Sequence, residues 1–245
     1  MPKLGKGTEC VQLLLSQVSK DMHEPLVPMF FPILGAQVSE SEFQYPDLSW
    51  KELCGMMGNL VADSGCNKGQ LSNIVEAICH NLREHDNTEL EKLVEWQKQM
   101  KMKSANKEKP ARPDVSFWFP PADVTNAAFI QNAMACEKLG ERTQYLNLPE
   151  VEMADRMCGG HKQISQMLRN IYDRQRSGAL RATVEGVTGN PILRANLTIS
   201  STPYAARKFY KNELFNGTFG RMMFSFKARM GRDGRIPRQG KYEEG

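Results

Sequence analysis

Residues 60–72 constrain the fold more than any other stretch of the chain, and they read Leu-Val-Ala-Asp-Ser-Gly-Cys-Asn-Lys-Gly-Gln-Leu-Ser. The apolar run from Cys54 to Ala62 predicts a short buried strand. Ser64 and Gly65 then supply a flexible turn. After the turn, apolar residues from Leu71 to Leu82 recur at helical spacing. A strand that passes through a tight turn into a helix predicts an α/β fold.

The same turn is similar to a Walker A loop, whose pattern is G-x-x-x-x-G-K-[ST]. In that pattern, backbone N–H groups wrap a phosphate, the lysine neutralises its charge and the hydroxyl holds Mg²⁺. Lys68 stands in the lysine place here, but the two outer glycines are replaced by Ala62 and Asn67 and the hydroxyl residue by Gly69. Asparagine accepts the left-handed backbone conformation of a glycine, whereas glycine has no side chain to hold a metal.

We therefore predict that the turn binds the phosphates of ATP, and that Mg²⁺ is a doubtful cofactor with no assigned protein ligand. An ordinary Gly/Asn turn between a strand and a helix is the alternative. The predicted phosphate-binding residues are Asp63, Ser64, Gly65, Cys66, Asn67, Lys68, Gly69 and Gln70.

Two acidic residues follow a second predicted strand, Tyr145 to Leu148. Glu150 and Glu152 have the position of the carboxylates after a Walker B strand, which hold the water shell of Mg²⁺ and polarise the attacking water. Glu150 is the first choice for this catalytic role and Glu152 the second. Pro149 stands where an aspartate is expected, and such acidic pairs are also common on protein surfaces.

Further strands are predicted at Val115 to Phe119, Ala179 to Glu185 and Ile192 to Ser200. Asp123 and Thr125, which follow the first of these, either face a nucleotide or a neighbouring subunit or serve as turn and cap residues. In additional-strand ATPases, a strand with a polar tip lies between the loop strand and the acid strand, and its tip senses the γ-phosphate. The candidate sensor residues are Ser200, Ser201 and Thr202.

Composition indicates a globular protein, with 40% hydrophobic and 24% charged residues. Leu26 to Ala36 is the most apolar window, but it is too short to span a membrane. We therefore expect no membrane partner and a cytoplasmic location. The net charge of +4 is concentrated in Lys98 to Arg112 and Arg207 to Lys241, which favours contact with the DNA backbone. For the first of these segments, a solvated face is the preferred interpretation and DNA contact the alternative.

The sequence from Phe215 to Phe226 makes the pattern more specific, since it contains a glycine-rich turn, Arg221 and an apolar strand. Together with the Lys68 loop, Pro-Glu-Val-Glu and Ser-Ser-Thr-Pro in this order, it resembles domain-of-unknown-function family 3987. This family comprises primase- and helicase-like P-loop proteins of bacterial mobile elements and phages. The resemblance covers roughly Glu24 to Phe226. It implies that Arg221 contacts a nucleotide phosphate, within one chain or across a subunit boundary in a homo-oligomeric ring. An arginine that only forms an ion pair at a strand start is the alternative.

These motifs and the resemblance imply an α/β, RecA-like P-loop NTPase fold, a three-layer sandwich with a mostly parallel central sheet. The expected function is an ATPase/helicase-like domain that binds ATP and DNA in replication or mobilisation of a mobile element. The alternative is a catalytically weak nucleotide- or DNA-binding structural subunit of a replication complex. The predicted organisation is an N-terminal helical segment (1–45), a P-loop ATPase-like domain (46–226) with a Lys-rich insertion near 98–113, and a basic, disordered tail (227–245).

Overall fold

The computed structural model describes residues 9–39, 42–44, 46–47, 49, 52–53, 55–102, 110–140, 142–158, 164–178, 187–211 and 217–227. Its α-helices are α1 (Glu9–Ser16), α2 (His23–Gln37), α3 (Gly69–Ile78), α4 (His80–Met102), α5 (Asn126–Lys138), α6 (Val151–Met157), α7 (Ile164–Tyr172) and α8 (Pro203–Tyr210). Its strands are β1 (Glu42–Phe43), β2 (Glu52–Leu53), β3 (Met57–Ala62), β4 (Gln144–Leu148), β5 (Ala195–Ser201) and β6 (Met223–Lys227). Short 3₁₀ turns span Lys20–Met22 and Phe219–Arg221.

Four of these strands form a parallel sheet in the order β4-β5-β3-β6. In its register, Val61 of β3 is paired with Ser201 of β5 on one side and with Phe226 of β6 on the other. The carboxyl ends of β3 and β5 therefore meet at one edge of the sheet. The predicted strand order is confirmed, because β5 lies between the strand that leads into the loop and the strand that leads to Glu150.

Helices cover both faces of this sheet because the chain reverses its direction across it. From β3 the chain passes through α3, α4 and α5 to β4 at one edge, and it returns through α6 and α7 to β5. Helix α5 packs in the same buried cluster as α6 and α7. Right-handed crossovers that run in opposite directions place their helices on opposite faces. Leu60 accordingly belongs to a buried cluster with Leu71 of α3, whereas its neighbour Val61 belongs to the cluster of Ala206 in α8. The fold is thus a RecA-like α/β three-layer sandwich, as predicted.

Helix α2 packs against the sheet on the same face as α3, where Leu26, Phe30 and Ile33 are buried with Leu60. This one helix contains the apolar window from Leu26 to Ala36 and continues through Pro28 and Pro32. In the part of the chain that the structure describes, no helix has both the length and the apolar character needed to cross a membrane.

Residues 115–119, named here the edge segment, were expected to form a strand, and this prediction is wrong. The segment is irregular and lies beside β4, where the backbone N–H of Tyr145 donates to the carbonyl of Trp118 at 2.8 Å. The predicted cap of the following helix is confirmed, because Thr125 Oγ1 accepts the N–H of Ala128 at 3.3 Å. Asp123 forms an ion pair with Arg156.

The N-terminal helical segment is interrupted after Ser16, the last residue of α1. The N–H of Ser19 donates to Gln70 Oε1 at 3.1 Å instead of to a helix carbonyl, so the chain restarts as a 3₁₀ turn at Lys20. Three other predicted features lie outside the described residues: the strand at 179–185, the centre of the Lys-rich insertion and the basic tail beyond Lys227.

Candidate functional site

The loop, residues 63–69, connects the carboxyl end of β3 to the first residue of α3. Its backbone enters the left-handed region twice, at Gly65 (φ 79°) and at Asn67 (φ 59°). Lys68 returns to the right-handed region (φ −54°, ψ −27°). The prediction that Asn67 adopts the glycine conformation of a Walker A loop is confirmed. Alternation of left- and right-handed residues turns successive N–H groups toward one side, which creates an anion-binding concavity.

Most N–H groups of this loop have no acceptor among the residues that the structure describes. The N–H of Cys66 donates to Asp63 O at 3.3 Å, and the next bonded amide is that of Gln70, which donates to Asn67 O at 3.1 Å. Across the described residues, no acceptor is present for the N–H groups of Ser64, Gly65, Asn67, Lys68 and Gly69. The positive end of the α3 dipole lies at the same place. The loop therefore concentrates hydrogen-bond donors and partial positive charge.

Space is available above these donors. A Cβ atom placed on Gly65 or on Gly69 would meet no atom within 4 Å. Both glycines are exposed, whereas Cys66, Asn67 and Lys68 are half-buried. A ligand can therefore approach the backbone of the loop from solvent.

The ammonium group of Lys68 lies over the crevice between β3 and β5. Its Nζ donates to Ala62 O, the last residue of β3, at 3.0 Å and to Ser201 O, the last residue of β5, at 3.3 Å. The connection that leaves β3 runs on one face of the sheet and the connection that leaves β5 runs on the other, so this crevice is a topological switch point. Ligands of open α/β sheets bind at such points, outside the carboxyl ends of the strands.

The predicted sensor residues reach this crevice, but two of their side chains have structural partners. Ser201 is 3% exposed, and its hydroxyl donates to Asn59 Oδ1 at 2.8 Å. Asn59 Nδ2 in turn donates to the hydroxyl of Tyr210 at 2.9 Å. Thr202 caps α8, since its Oγ1 accepts the N–H of Ala205 at 3.2 Å. Ser200 is buried. Ser201 thus contributes its backbone carbonyl, rather than its hydroxyl, to the position of Lys68.

Asn59 is a residue that the sequence analysis missed. It is fully buried in the middle of β3, where its amide links β5 to α8 through Ser201 and Tyr210. A polar side chain inside an otherwise apolar buried strand requires hydrogen-bond partners, and this was the available signal. Asn59 thus links the middle of β3 to the end of β5 and to α8.

The carboxylates after β4 lie at the same edge of the sheet but are separated from the loop strand by β5. Glu150 occupies the N-cap position of α6 without a side-chain capping bond, and Glu152 lies in the first turn of that helix. Both are exposed.

The donor set at this edge does not fit a magnesium ion in the usual P-loop position. Gly69 offers no hydroxyl, and Pro149 stands in the expected aspartate place. In the described ranges, no group of three or more His, Cys, Asp or Glu side chains is arranged to hold a metal.

The structure does not bring Arg221 to the loop. Arg221 precedes β6, whose first residue pairs with Gly58 near the start of β3, so it lies at the opposite, amino edge of the sheet. At about 3.3 Å per residue, the length of β3 separates the two edges by roughly 15–20 Å. The expected contact of Arg221 with a phosphate on the loop of its own chain is therefore not supported.

At that edge Arg221 forms a two-pronged ion pair. Its Nε and Nη2 donate to the two carboxylate oxygens of Asp173 at 3.0 and 2.9 Å, and its Nη1 donates to Gly217 O at 3.0 Å. The hydrogen bonds to Asp173 raise the pKa of Arg221 above its ordinary value. Within its own chain Arg221 is thus an ion-pairing arginine at a strand start, and its contact with a phosphate across a subunit boundary stays a prediction.

The parallel four-stranded sheet, the loop with its open amides and the lysine at the switch point define a RecA-like α/β protein with a candidate anion site. Comparison of the chain with protein-family models finds no match, and no curated protein matches it either.

Proposed function

We propose that this chain is a nucleotide-binding domain whose loop holds the polyphosphate of ATP. The observation that carries the proposal is the position of the Lys68 ammonium group over the crevice between β3 and β5. Five backbone amides that lack an acceptor among the described residues belong to the loop at the same edge of the sheet. One full positive charge, a helix N-terminus and a set of N–H donors together form an environment that favours a polyanion.

The bonds that Lys68 makes to the carbonyls of Ala62 and Ser201 are compatible with this role. A lysine ammonium has three donors, and these carbonyls take two of them. A phosphate oxygen is a stronger partner than a neutral carbonyl because its charge strengthens the hydrogen bond. Binding therefore needs only a small movement of the lysine.

The domain is proposed to bind nucleotide with slow or no hydrolysis. Efficient phosphoryl transfer by P-loop proteins depends on a loop hydroxyl and a strand-end aspartate that hold the metal, and both places are altered in this chain. This favours the binding subunit of a replication complex over an active helicase. An active ATPase is the second candidate. It is favoured by Glu150, an exposed carboxylate at the carboxyl end of β4 that could polarise the attacking water.

DNA binding, and a role in replication or mobilisation of a mobile element, form part of the same proposal. They rest on the resemblance to domain-of-unknown-function family 3987 and on the charge pattern. Arg207, Lys208 and Lys211 are exposed at the end of α8 and belong to the second basic segment. Clustered cations of this kind contact phosphates without reading the sequence of DNA.

Titration calorimetry with ATP and with inorganic tripolyphosphate tests the proposal. We expect Lys68→Ala to weaken both affinities about tenfold or more, which corresponds to about 1.4 kcal/mol or more. Lys101→Ala, which removes an exposed lysine at the end of α4, is the matched control and is expected to bind like the wild type. ATP should also raise the melting temperature of the wild type, because a ligand that binds only the folded state stabilises it.

Equal affinities for Lys68→Ala and wild type would contradict the proposal, as would a melting temperature that ATP does not change. Release of phosphate from ATP that depends on both Lys68 and Glu150 would instead favour the ATPase over the binding subunit.

A further inference from the structure

A cavity of about 710 Å³ opens beside the loop, between α8 and the edge strand β6. Its volume lies within the range of small-molecule sites, about 300–1,000 Å³. Val61 and Asp63 connect it to the end of β3 and to the first residue of the loop. Aromatic rings form much of the remaining wall, and they come from Tyr210, Phe219, Phe224 and Phe226.

Three of these rings form a continuous series along one wall. Phe219 and Phe224 are stacked with their centroids 4.5 Å apart, and Phe224 and Phe226 are nearly parallel with centroids 6.3 Å apart. The edge of the series is open, because Phe226 is 69% exposed and Phe219 is 41% exposed. Exposed aromatic rings that line a cavity are a common feature of binding sites.

The register of the sheet brings Phe226 close to the loop. Phe226 is paired with Val61, so the two residues lie on the same face of neighbouring strands about 4.8 Å apart. Val61 is two residues from Asp63, where the loop begins. The outermost ring of the series is therefore next to the proposed phosphate site.

We propose that this cavity receives the base and sugar of the nucleotide whose phosphates bind the loop, with the base stacked on Phe226. This inference rests on the proposed function and extends it. The strand order sets the orientation of the bound nucleotide. On one side of β3 lie β5 and then β4, which leads to Glu150, and on the other side lies β6. A triphosphate over Lys68 places its base toward β6, away from the carboxylates.

The chemistry of the wall also predicts weak selectivity among bases. Ring faces stack on every base alike, whereas discrimination requires hydrogen-bond groups that match the edge of one base. The hydroxyl of Tyr210 accepts a bond from Asn59 within the fold. Lys227 forms an ion pair with Asp21 at 2.9 Å. The other polar groups at the cavity, Asp63, Arg207 and Lys211, are charged and suit sugar hydroxyls and phosphates better than base edges. We expect ATP and GTP to bind with similar affinity.

Single-stranded nucleic acid is a different occupant that aromatic rings and neighbouring cations also suit. The mononucleotide is favoured because the cavity adjoins the loop at Val61 and Asp63 and has the volume of a small-molecule site. Binding of an oligonucleotide is therefore an outcome to be measured in the same experiment.

The experiment compares Phe226→Ala with Phe226→Tyr, which keeps the ring, and with Phe31→Ala as the matched control. Phe31 is also an exposed phenylalanine (50%), but it belongs to α2. Affinities for ATP, GTP, inorganic tripolyphosphate and a short oligothymidylate are measured by calorimetry on the full chain. Melting temperatures without ligand show that each variant is folded.

We expect Phe226→Ala to weaken ATP and GTP about tenfold or more, which is the loss that removal of one stacking ring predicts. Tripolyphosphate affinity should stay unchanged, because it contains no base. Phe226→Tyr and Phe31→Ala should bind like the wild type.

Unchanged ATP affinity in Phe226→Ala would overturn the inference, and Lys68-dependent binding of tripolyphosphate would then leave the proposed function intact. A parallel loss of tripolyphosphate affinity would overturn it as well, because the substitution would then act through the loop. Loss of oligothymidylate binding with ATP binding retained would assign the cavity to single-stranded nucleic acid. Failure of the wild type to bind either ATP or tripolyphosphate would remove the proposed function and this inference together.

Discussion

Two irregular stretches border the central sheet, the loop and the edge segment, and they treat their backbone N–H groups in opposite ways. In the loop, the amides of Ser64, Gly65, Asn67, Lys68 and Gly69 find no acceptor among the described residues. In the edge segment, the amides of residues 116–119 all donate to side chains. Both stretches lie outside the strand ladders, so each N–H needs a partner or water.

The partners of the edge segment come from two helices. Asp86 of α4 accepts the N–H groups of Trp118 and Phe119, each at 2.7 Å. Glu89, one turn later, accepts from Ser116 at 3.3 Å, and Asn132 of α5 exchanges two 2.8 Å bonds with the backbone of Phe117. Backbone N–H groups at the edge of a sheet have no neighbouring strand to accept them. Here side chains serve as the acceptors instead.

The contrast indicates what the open amides of the loop are for. At the edge segment the chain places two buried carboxylates and a buried amide against irregular backbone. At the loop it leaves the donors open to solvent and adds the Lys68 ammonium group beside them. N–H donors that the fold does not satisfy are available to a ligand. Substitutions in the edge segment should therefore change stability, whereas substitutions in the loop should change ligand affinity.

The largest effect is expected for Asp86→Ala. The substitution leaves the N–H groups of Trp118 and Phe119 without their acceptor. At about 1–3 kcal/mol for each unsatisfied group, the free energy of unfolding should fall by about 2–6 kcal/mol. Urea denaturation measures this loss. The affinity of the folded protein for tripolyphosphate should not change, because the edge segment does not contribute to the loop.

Asp114→Ala is the matched control, since Asp114 immediately precedes the edge segment but forms an exposed ion pair with Lys138. Its cost should stay below about 1 kcal/mol. Equal destabilisation by the two substitutions would show that the bonds to Asp86 have no special weight.

The second effect concerns the backbone conformation of the loop at Asn67. A β-branched residue is disfavoured at φ 59°, so Asn67→Val should impose about 1–3 kcal/mol of strain. The loop relieves this strain by leaving the conformation that aligns its amides, and the affinity for tripolyphosphate should fall about tenfold. Asn67→Gly accepts the same φ and should bind like the wild type. If valine and glycine variants bind equally well, the left-handed turn is not part of the site.

The local chemistry of the loop explains why it could be predicted from the sequence. The strand, the turn, the φ of Asn67 and the start of α3 depend on neighbouring residues. The place of β5 between β3 and β4 was predicted from the similarity to additional-strand ATPases. The edge segment could not be predicted in this way. Its alternating aromatic sequence indicates extended backbone, but the acceptors that replace a strand lie 15–33 residues away, on α4 and α5.

Arg221 illustrates a different kind of error. A residue that precedes a parallel strand lies at the amino edge of the sheet, whereas a loop that follows a strand lies at the carboxyl edge. The sequence pattern therefore contained the information that separates Arg221 from Lys68. The aromatic cavity was not predicted because it depends on the pairing of Phe226 with Val61, two residues that lie far apart in the chain.

The third effect distinguishes a structural role of Ser201 from a sensing role. Ser201→Ala removes the donor to buried Asn59 Oδ1 and should cost about 1 kcal/mol of stability. The ratio of ATP to ADP affinity should stay at the wild-type value, because the hydroxyl points into the fold. Ser200→Ala, the substitution of the preceding residue, is the comparison. A lowered ratio in Ser201→Ala alone would restore Ser201 as a γ-phosphate sensor.

The smallest effect is a pH dependence at Asp86. The pKa of this carboxyl is raised above its ordinary value because burial disfavours the charged form. The hydrogen bonds from Trp118, His85 and Phe119 lower the pKa, but by less. The unfolded chain has the ordinary aspartate pKa of about 3.9, so between that pH and the raised folded pKa the folded state binds more protons. Stability contributed by Asp86 is therefore full below about pH 4 and decreases as the pH rises through this window.

Asp86→Asn cannot titrate, and the difference in unfolding free energy between wild type and Asp86→Asn isolates the contribution of Asp86. We expect the unfolding free energy of the wild type, relative to that of Asp86→Asn, to decrease as the pH rises from about 4. The reason is that only the ionised carboxylate carries the cost of burial. His85 Nδ1 lies 3.2 Å from Asp86 Oδ1, so the comparison is repeated in a His85→Gln background, where the trend should persist. If the wild type instead becomes more stable relative to Asp86→Asn as the pH rises, the N–H donors of the edge segment lower the pKa of Asp86 by more than burial raises it. The folded pKa of Asp86 would then lie below its ordinary value, and the edge segment would be held by a carboxylate that is charged throughout the range.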